Sequence, residues 1–202
     1  MLFKSFSEKI NTTLGRLSPA RRIFLSFALV IFAGSLLLSL PFVQATSSQA
    51  TYFDHLFTAV SMVCVTGLFT QPVATTYNIW GQLICMFLIQ IGGLGLMTFI
   101  GVFYIQSKQK LSLRSRETIL ESFSYGETHS LMVFIRSIFL TTFIVEGLGA
   151  FLLSFRFVPE FGWGRGIFTS IFVAISAFCN AGFDNFGSTS LVAFQTDPLI
   201  NL

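Results

Sequence analysis

The sequence predicts an all-α integral membrane protein built from tandem units, each with a long helix, a short re-entrant segment ending in a glycine turn, and a second long helix. Three observations predict this fold class. The 202 residues are 53% hydrophobic and 10% charged, with a mean hydropathy of +0.75, which is far outside the range of soluble domains. Long and half-length apolar stretches alternate along the chain. The two halves of the chain also match each other at one constant shift.

Three apolar stretches are long enough to cross a bilayer or nearly so. The first, Ile23–Leu40, ends at Pro41; about 18 residues that rise ~1.5 Å each nearly cross a hydrocarbon core. The second runs from Ile79 to Ile105, and its glycine cluster permits close helix contact. The third lies between Leu131 and Phe155, and residues 198–202 are interpreted as the beginning of a fourth. The glycines of the second stretch are Gly92, Gly93 and Gly95.

Two other apolar stretches are too short for a full crossing. Phe53–Val63 and Ile167–Phe178 would form helices of roughly half a bilayer thickness. Each is followed by a cysteine and, three residues later, a glycine, in the segments CVTGLF (64–69) and CNAGFD (179–184). Half-length helices that end in such turns indicate re-entrant segments.

The two halves of the chain align without a gap when the sequence is shifted by 115 residues. The shift superimposes Arg, Gly, Ser and Cys residues as well as apolar ones, which chance matching of apolar sequence does not explain. The paired residues include Arg21 with Arg136, Gly34 with Gly149, Ala59 with Ala174, Ser61 with Ser176, Cys64 with Cys179 and Gly67 with Gly182. We infer that one unit has been duplicated.

Basic residues indicate the orientation of the spans, because Lys and Arg near span ends favour the cytoplasmic side. They cluster before the first span (Lys4, Lys9, Arg16, Arg21, Arg22) and after the second (Lys108, Lys110, Arg114, Arg116). The stretch between Pro41 and Asn78 contains neither Lys nor Arg. The N-terminus and the loop 106–129 are therefore predicted to be cytoplasmic.

The glycine turns are predicted to face a pore. Non-helical backbone at membrane depth is tolerated only where it packs against protein or lines a watery cavity. A half-helix that enters from outside directs the negative end of its dipole toward the membrane centre, where it favours a cation. A glycine permits backbone angles that let carbonyl oxygens replace the water around an ion. The alternative is a tight packing turn in the re-entrant hairpin of any transporter.

Three motifs in this order resemble the Trk/Ktr/HKT superfamily of potassium transporters, most closely the membrane subunit of bacterial Ktr or Trk systems. They are FTAVSMVCVTGLFT (57–70), IQIGGLGLMTF (89–99) and AISAFCNAGFDNF (174–186). The resemblance implies potassium-channel-like architecture, with four helix, pore-loop, helix units around a central pathway. It also implies potassium transport, with K⁺ as the transported ion and no cofactor in this chain.

The resemblance implies two walls of a selectivity filter made of backbone carbonyls. The first wall consists of Val65, Thr66, Gly67 and Leu68, and the second of Asn180, Ala181, Gly182 and Phe183. Family members with Ser at the first glycine tend toward sodium, so Gly67 favours potassium. The open alternatives are a sodium-permeable or non-selective pathway of the same fold, and a non-conducting membrane scaffold.

The implied partners are the lipid bilayer, a second copy of the full-length subunit and a cytosolic nucleotide-binding regulatory ring; no nucleic acid is expected. The basic loop 106–129 would face this ring, although a topology signal explains its charge equally well. The predicted organisation is a cytoplasmic segment (1–22), a first unit (23–105), the basic loop (106–129) and a second, truncated unit (130–202). The chain is expected to be the N-terminal portion of a longer cell-membrane protein, about half of a four-unit pore, because two of the family's four units are absent. Those units carry the family's intramembrane gating loop and a basic residue.

Several polar residues fall outside the shared pattern. Glu146 lies in the middle of a span opposite Ile31 of the other unit, and either a polar contact with a neighbouring helix or ion coupling would explain it. Asp54 and His55 open the first half-helix, and capping of the helix by the acid is favoured over a chemical role. Asp184 is interpreted as an attractor of cations or as a solvated turn residue.

An enzyme is not expected, since the two histidines, His55 and His129, lie in unrelated places and no acidic pair or nucleophile motif is present. The three cysteines, Cys64, Cys85 and Cys179, are interpreted as small buried residues, because their surroundings are apolar and their spacing fits neither a disulfide nor a metal set.

Overall fold

The computed structural model describes residues 19–95 and 128–200. The chain divides into two compact units. In the first unit the described residues are 19–29 and 128–137, which form the beginnings of two helices. In the second unit the described residues are 30–95 and 138–200. Both predicted glycine turns belong to this second unit, so the candidate site can be described within it.

The described residues form helices and contain no strand beyond an isolated bridge between Gln44 and Tyr77. The predicted all-α class is therefore confirmed at this level. The helices are α1 (Pro19–Leu38), α2 (Tyr52–Val63), α3 (Val73–Thr76), α4 (Ile79–Leu94), α5 (Thr128–Phe161) and α6 (Trp163–Phe178), and short 3₁₀ turns cover Pro41–Val43 and Ser190–Phe194.

The half-length helices occur where the sequence predicts them. Helix α2 begins one residue before the predicted start and ends at Val63 as predicted. Helix α6 ends at Phe178 as predicted but begins at Trp163, four residues earlier than expected. The first long helix ends at Leu38, and Pro41 then opens a 3₁₀ turn.

The predicted second span differs from the structure. Helix α4 ends at Leu94, because Gly95 adopts a left-handed backbone with φ of +79° and its N–H bonds to the Gly92 carbonyl. The rest of the predicted span, residues 96–105, lies outside the described residues. The third long helix extends beyond the prediction at both ends and contains Pro159. Its extra C-terminal turn carries an ion pair between Arg156 and Glu160 at 2.8 Å, a spacing that supports helices.

One helical stretch among the described residues, Arg136–Phe161 in α5, is long and apolar enough to cross a membrane by length and composition. The apolar parts of α1, α4 and α6 are shorter. Large apolar side chains on α5 are exposed, including Phe143, Phe151 and Phe155 at about 60%. Such a surface suits lipid better than water.

Helix α4 is the central element of the second unit, since it contacts both half-helices, α2 and α6. Its buried face includes Cys85, Leu88 and Ile89. Gly92 lies so close to the end of α2 that a Cβ built on it would be 2.6 Å from the Val63 carbonyl oxygen. The predicted role of this glycine cluster in close packing is confirmed for Gly92 and for Gly93, which lies against Cys179.

Candidate functional site

The start of helix α2 is fixed by a capping box. The Asp54 carboxylate accepts from the Thr51 N–H and hydroxyl, both at 2.7 Å, which satisfies groups that the first helical turn leaves free. The predicted capping role of Asp54 is thus confirmed. Its other oxygen accepts from the Thr70 hydroxyl at 2.7 Å, so the chain that returns from the first glycine turn is tied to the start of the helix.

These bonds also affect the charge of Asp54. The Thr70 hydroxyl first, and then the Thr51 backbone and hydroxyl, hold the pKa of this carboxyl below its ordinary value, since hydrogen bonds to a carboxylate favour the ionised form. The carboxylate therefore stays charged at neutral pH at the helix N-terminus, where the helix dipole favours it.

The first glycine turn follows α2 directly and is bonded back to the end of that helix. The Val65 N–H donates to the Met62 carbonyl at 3.3 Å, and the Thr66 N–H donates to the Ser61 carbonyl at 2.9 Å. The Leu68 N–H donates to the Ser61 hydroxyl at 2.9 Å. The N–H groups of Val65, Thr66 and Leu68 therefore all point toward the last turns of α2.

The second glycine turn repeats these bonds at the end of α6. The Asn180 N–H donates to the Ala177 carbonyl at 3.0 Å, and the Ala181 N–H donates to the Ser176 carbonyl at 2.8 Å. The Phe183 N–H donates to the Ser176 hydroxyl at 2.9 Å. Each bond has its counterpart in the first turn at the shift found in the sequence, so the two turns share one hydrogen-bonding pattern.

Both turns alternate between left-handed and ordinary backbone. In the first turn φ is +55° at Val65 and +75° at Gly67, and in the second it is +54° at Asn180 and +71° at Gly182. A left-handed β-branched residue such as Val65 is uncommon and costs free energy on the order of 1–3 kcal/mol. The same left-handed φ at the same position of both turns indicates that the function of the turns requires this backbone conformation.

The bonded N–H groups determine where the carbonyls of the turns point. In a trans peptide the C=O of one residue is antiparallel to the N–H of the next. Because the N–H groups of Val65, Thr66 and Leu68 point toward α2, the preceding carbonyls point away from it. These are the carbonyls of Cys64, Val65 and Gly67 in the first turn, and of Cys179, Asn180 and Gly182 in the second.

The two turns contact each other through their glycines. A Cβ built on Gly67 would lie 3.0 Å from the Ala181 carbonyl oxygen, and one built on Gly182 would lie 3.3 Å from the Cα of Gly67. The rings of Phe69 and Phe183 are also adjacent, with centroids 6.3 Å apart. The structure therefore brings the two groups of predicted filter residues together within one unit.

The side chains of the eight predicted filter residues differ between the turns. Leu68 is 62% exposed, whereas its counterpart Phe183 is 3% exposed. Thr66 places its hydroxyl 2.8 Å from that of Ser61. Ala181, at the same position of the second turn, is fully buried and carries no hydroxyl. The backbone pattern is thus shared and the side chains are not.

Glu146 makes the polar contact with a neighbouring helix that was one of its two interpretations. Its carboxylate accepts from the Gln90 amide of α4 at 2.8 Å. Cys179 lies just before the second turn, and its thiol is 3.8 Å from the side-chain Oε1 of Gln90. Sequence reasoning missed Gln90, although a polar amide within an apolar helix was the available signal.

A second buried polar group lies behind the first turn and was also missed. His55, next to the capping Asp54, turns inward and is 1% exposed. Its Nδ1 lies 2.9 Å from the Tyr77 hydroxyl, and its Nε2 lies 3.2 Å from the Gln44 amide nitrogen. These contacts fasten α2 to the segments on either side of it.

One expectation changes in detail. Cys64 is exposed, so the prediction of three buried cysteines is wrong for this residue and correct for Cys85 and Cys179. Cys64 forms the C-terminal cap of α2, where the chain leaves the packed helix. Asp184 follows the second glycine turn directly and accepts from the Phe186 N–H at 2.9 Å and from the Ser190 hydroxyl. Most of the predicted basic loop, residues 106–127, lies outside the described residues.

Comparison with known proteins finds a family match and several curated relatives. The family described as TrkH, cation transport protein, matches residues 21–202. The Potassium/sodium uptake protein NtpJ of Enterococcus hirae is 42% identical over 182 residues, which cover 90% of this chain and 40% of that protein. The Ktr system potassium uptake protein B of Bacillus subtilis is 37% identical over 93% of this chain and 41% of its own length.

A further relative, the Ktr system potassium uptake protein B of Vibrio alginolyticus, is 38% identical over 90% of this chain and 39% of its own length. The chain thus spans about 40% of the length of the curated relatives that it matches.

Proposed function

The chain belongs to the TrkH family of cation transport proteins and is therefore an integral membrane protein, and we propose that it contributes two walls of a potassium-selective pathway to the membrane subunit of a potassium uptake system. The family match covers residues 21–202 and so includes both glycine turns. Three relatives with 37–42% identity are named as uptake proteins for potassium or for potassium and sodium.

The repeated backbone of the two turns is the observation that carries the proposal. In each turn, N–H groups bond back to a half-helix, so carbonyl oxygens point away from that helix. Each half-helix also ends at its turn, which adds the negative end of a helix dipole. Oxygens and dipoles of this sign suit a dehydrated cation.

The proposed ion contacts come from backbone carbonyls, and equivalent residues of the two turns have the same role. Val65, Thr66, Gly67 and Leu68 form the first wall, and Asn180, Ala181, Gly182 and Phe183 form the second. Within each wall, the left-handed residue and the glycine allow neighbouring carbonyls to face one side. The side chains then differ freely, as they do at Thr66 and Ala181, because the ion contacts need no side chain.

Sodium permeation is the second candidate. Its support is the similarity to a relative named for both potassium and sodium uptake, at 42% identity. Gly67 favours potassium, because a serine at this point of the turn accompanies sodium transport within the superfamily that the motifs resemble.

The wider assembly is also part of the proposal. Two walls border an ion on two sides, and further units of the same kind would complete the pathway. The N-terminal segment, residues 1–22, would be cytoplasmic. So would the loop 106–129, which joins the unit 23–105 to the unit 130–202. A second copy of the subunit and a cytosolic nucleotide-binding ring are the proposed partners, and the names of two relatives refer to a Ktr system.

The test is the ratio of potassium to sodium uptake after Gly67→Ser. The protein is expressed from its complete gene, with any subunits of its system, in cells that lack their own potassium uptake. We expect the ratio to fall by about tenfold or more, since a selectivity change of this size needs only about 1.4 kcal/mol. Gly147→Ser is the control, because Gly147 lies in α5 with no neighbouring atom within 4 Å of a built Cβ.

The outcomes separate the candidates. A lower ratio with Gly67→Ser and an unchanged ratio with Gly147→Ser support the filter. A wild-type protein that prefers sodium favours the second candidate. An unchanged ratio with both variants in a transporting protein contradicts the filter, and the absence of any uptake above background by the wild-type system indicates a scaffold.

A further inference from the structure

We propose that Ser61 and Ser176 are equivalent positioning residues that set ion selectivity by fixing the direction of the Gly67 and Gly182 carbonyls. This inference rests on the proposed filter function and names the side chains on which that filter depends. The two serines lie on α2 and α6, before the turns begin.

The first copy of the contact is formed by Ser61. Its hydroxyl oxygen accepts from the Leu68 N–H at 2.9 Å, across the whole turn. In the trans peptide between Gly67 and Leu68, the Gly67 carbonyl is antiparallel to that N–H. A serine hydroxyl at the end of the helix therefore determines that the Gly67 carbonyl points away from the helix.

The second copy is formed by Ser176 and is independent of the first. Its hydroxyl accepts from the Phe183 N–H at 2.9 Å, which directs the Gly182 carbonyl in the same way. The side chains of Leu68 and Phe183 differ in size and exposure. The bond is therefore retained between two turns whose side chains have diverged, as a shared backbone function requires.

No regular secondary structure holds this part of the turn. The N–H groups earlier in the turns donate to carbonyls of the helix, which any residue type supplies. The N–H after the glycine depends on one hydroxyl, and only certain side chains provide that. Both serines are buried, at 2% and 3% exposure, so a lost acceptor is not replaced easily by water.

The other ordered serine of α6 shows the difference. Ser170 is as buried as Ser176, but its hydroxyl donates to the Gly166 carbonyl of its own helix at 2.8 Å. The Ser170 hydroxyl thus bonds to its own helix, whereas the Ser176 hydroxyl bonds to the turn. Ser170 is therefore a matched control on the same helix.

Ser176 is the cleaner of the two sites for a test. The Thr66 hydroxyl lies 2.8 Å from that of Ser61 and offers a substitute acceptor near the first turn. In the second turn the equivalent residue is Ala181, which has no hydroxyl. Removal of the Ser176 hydroxyl is therefore expected to have the larger effect.

The experiment measures the ratio of potassium to sodium uptake in the protein expressed from its complete gene with the subunits of its system. We expect Ser176→Ala to lower this ratio by about fivefold or more, because a Phe183 N–H without its acceptor no longer holds the Gly182 carbonyl in one direction, and a fivefold change in selectivity needs only about 1 kcal/mol. Ser61→Ala should lower it less. Ser176→Thr keeps a hydroxyl and should stay within about twofold of the wild type, as should Ser170→Ala.

A cysteine variant covers the case in which Ser176→Ala does not yield protein. Ser176→Cys keeps a small side chain but offers a weak acceptor, so it should also lower the ratio. A wild-type ratio in a transporting Ser176→Ala or Ser176→Cys variant would overturn the inference, as would equal losses of selectivity in Ser176→Ala and Ser170→Ala. Gly67→Ser separates the two levels. If it changes selectivity and the serine variants do not, only this inference fails. If none of them changes selectivity, the filter itself is wrong.

Discussion

Gly67 and Gly182 lie against each other, with a Cβ built on Gly182 only 3.3 Å from the Cα of Gly67. Both have left-handed backbone, with φ of +75° and +71°. The contact joins the two turns that follow the half-helices, and it leaves little room for a side chain at either position. The chain thus brings its two duplicated turns together at the residues that the sequence singles out.

Alanine at these glycines should destabilise the protein. Gly67→Ala adds a Cβ 3.0 Å from the Ala181 carbonyl oxygen and places an L side chain in left-handed backbone, at a cost of about 1–3 kcal/mol. Gly182→Ala meets the Cα of Gly67 at 3.3 Å and should cost less. Melting temperatures in detergent test this order, and unchanged values for both variants would contradict the contact.

Alanine at Gly92 should disturb the packing of α4 on α2. Its Cβ would lie 2.6 Å from the Val63 carbonyl oxygen, so the backbones must separate and the base of the first turn must move. Gly147→Ala, with open space around it, should be neutral or stabilising by up to about 1 kcal/mol through helix propensity. Thermal stability and uptake are compared, and equal behaviour of the two variants would contradict this packing.

The pair formed by Gln90 and Glu146 should act as a unit. Glu146→Leu leaves the Gln90 amide without its acceptor, which costs about 1–3 kcal/mol for a buried donor. Gln90→Leu in addition removes the stranded donor, so the double variant should be more stable than the two single losses predict. A double-mutant cycle on thermal unfolding measures the coupling, and strict additivity would argue against the 2.8 Å contact.

Asp54 should make stability depend on pH in the acid range. Its pKa is below the ordinary value, chiefly because the Thr70 hydroxyl donates to it. The stabilisation is therefore present above the ordinary pKa and is lost as pH falls through the lower, folded-state value.

The matched variants are Thr70→Val and Asp54→Asn. Thr70→Val should raise the pKa toward the ordinary value, so that the protein is less stable at neutral pH and loses a smaller part of its stability in acid. Asp54→Asn should remove this part of the pH dependence. Melting temperatures at roughly pH 3 to 6 follow both effects, and identical profiles for wild type and Asp54→Asn would show that Asp54 does not contribute.

The helical fold and the placement of the half-helices are predictable from the sequence, because they depend on lengths of apolar stretches and on a repeat. Residues that terminate helices are harder to judge. Gly95 ends α4 within a stretch that remains apolar, so hydropathy alone does not show where this helix ends. Conversely, α5 continues through Pro159, where an ion pair between Arg156 and Glu160 supports the last turns.

The glycines of the candidate site are predictable for the same reason, since duplication marks them. The repeat aligns Ser61 with Ser176. Their bonds to the N–H groups of Leu68 and Phe183, however, depend on backbone angles that cannot be read from the sequence. Gln90 and His55 were missed because their partners, Glu146 and Tyr77, are distant in the chain. Partners of buried polar groups become visible only once the helices are packed.

Ion density at the two turns tests the central claim most directly. The protein, produced from its complete gene, is crystallised with rubidium in place of potassium, and anomalous scattering locates the bound ions. The account predicts a peak lined by backbone carbonyls of residues 64–68 and 179–183. Ions that bind only elsewhere in a transport-competent preparation, with these carbonyls turned toward protein groups, would contradict it.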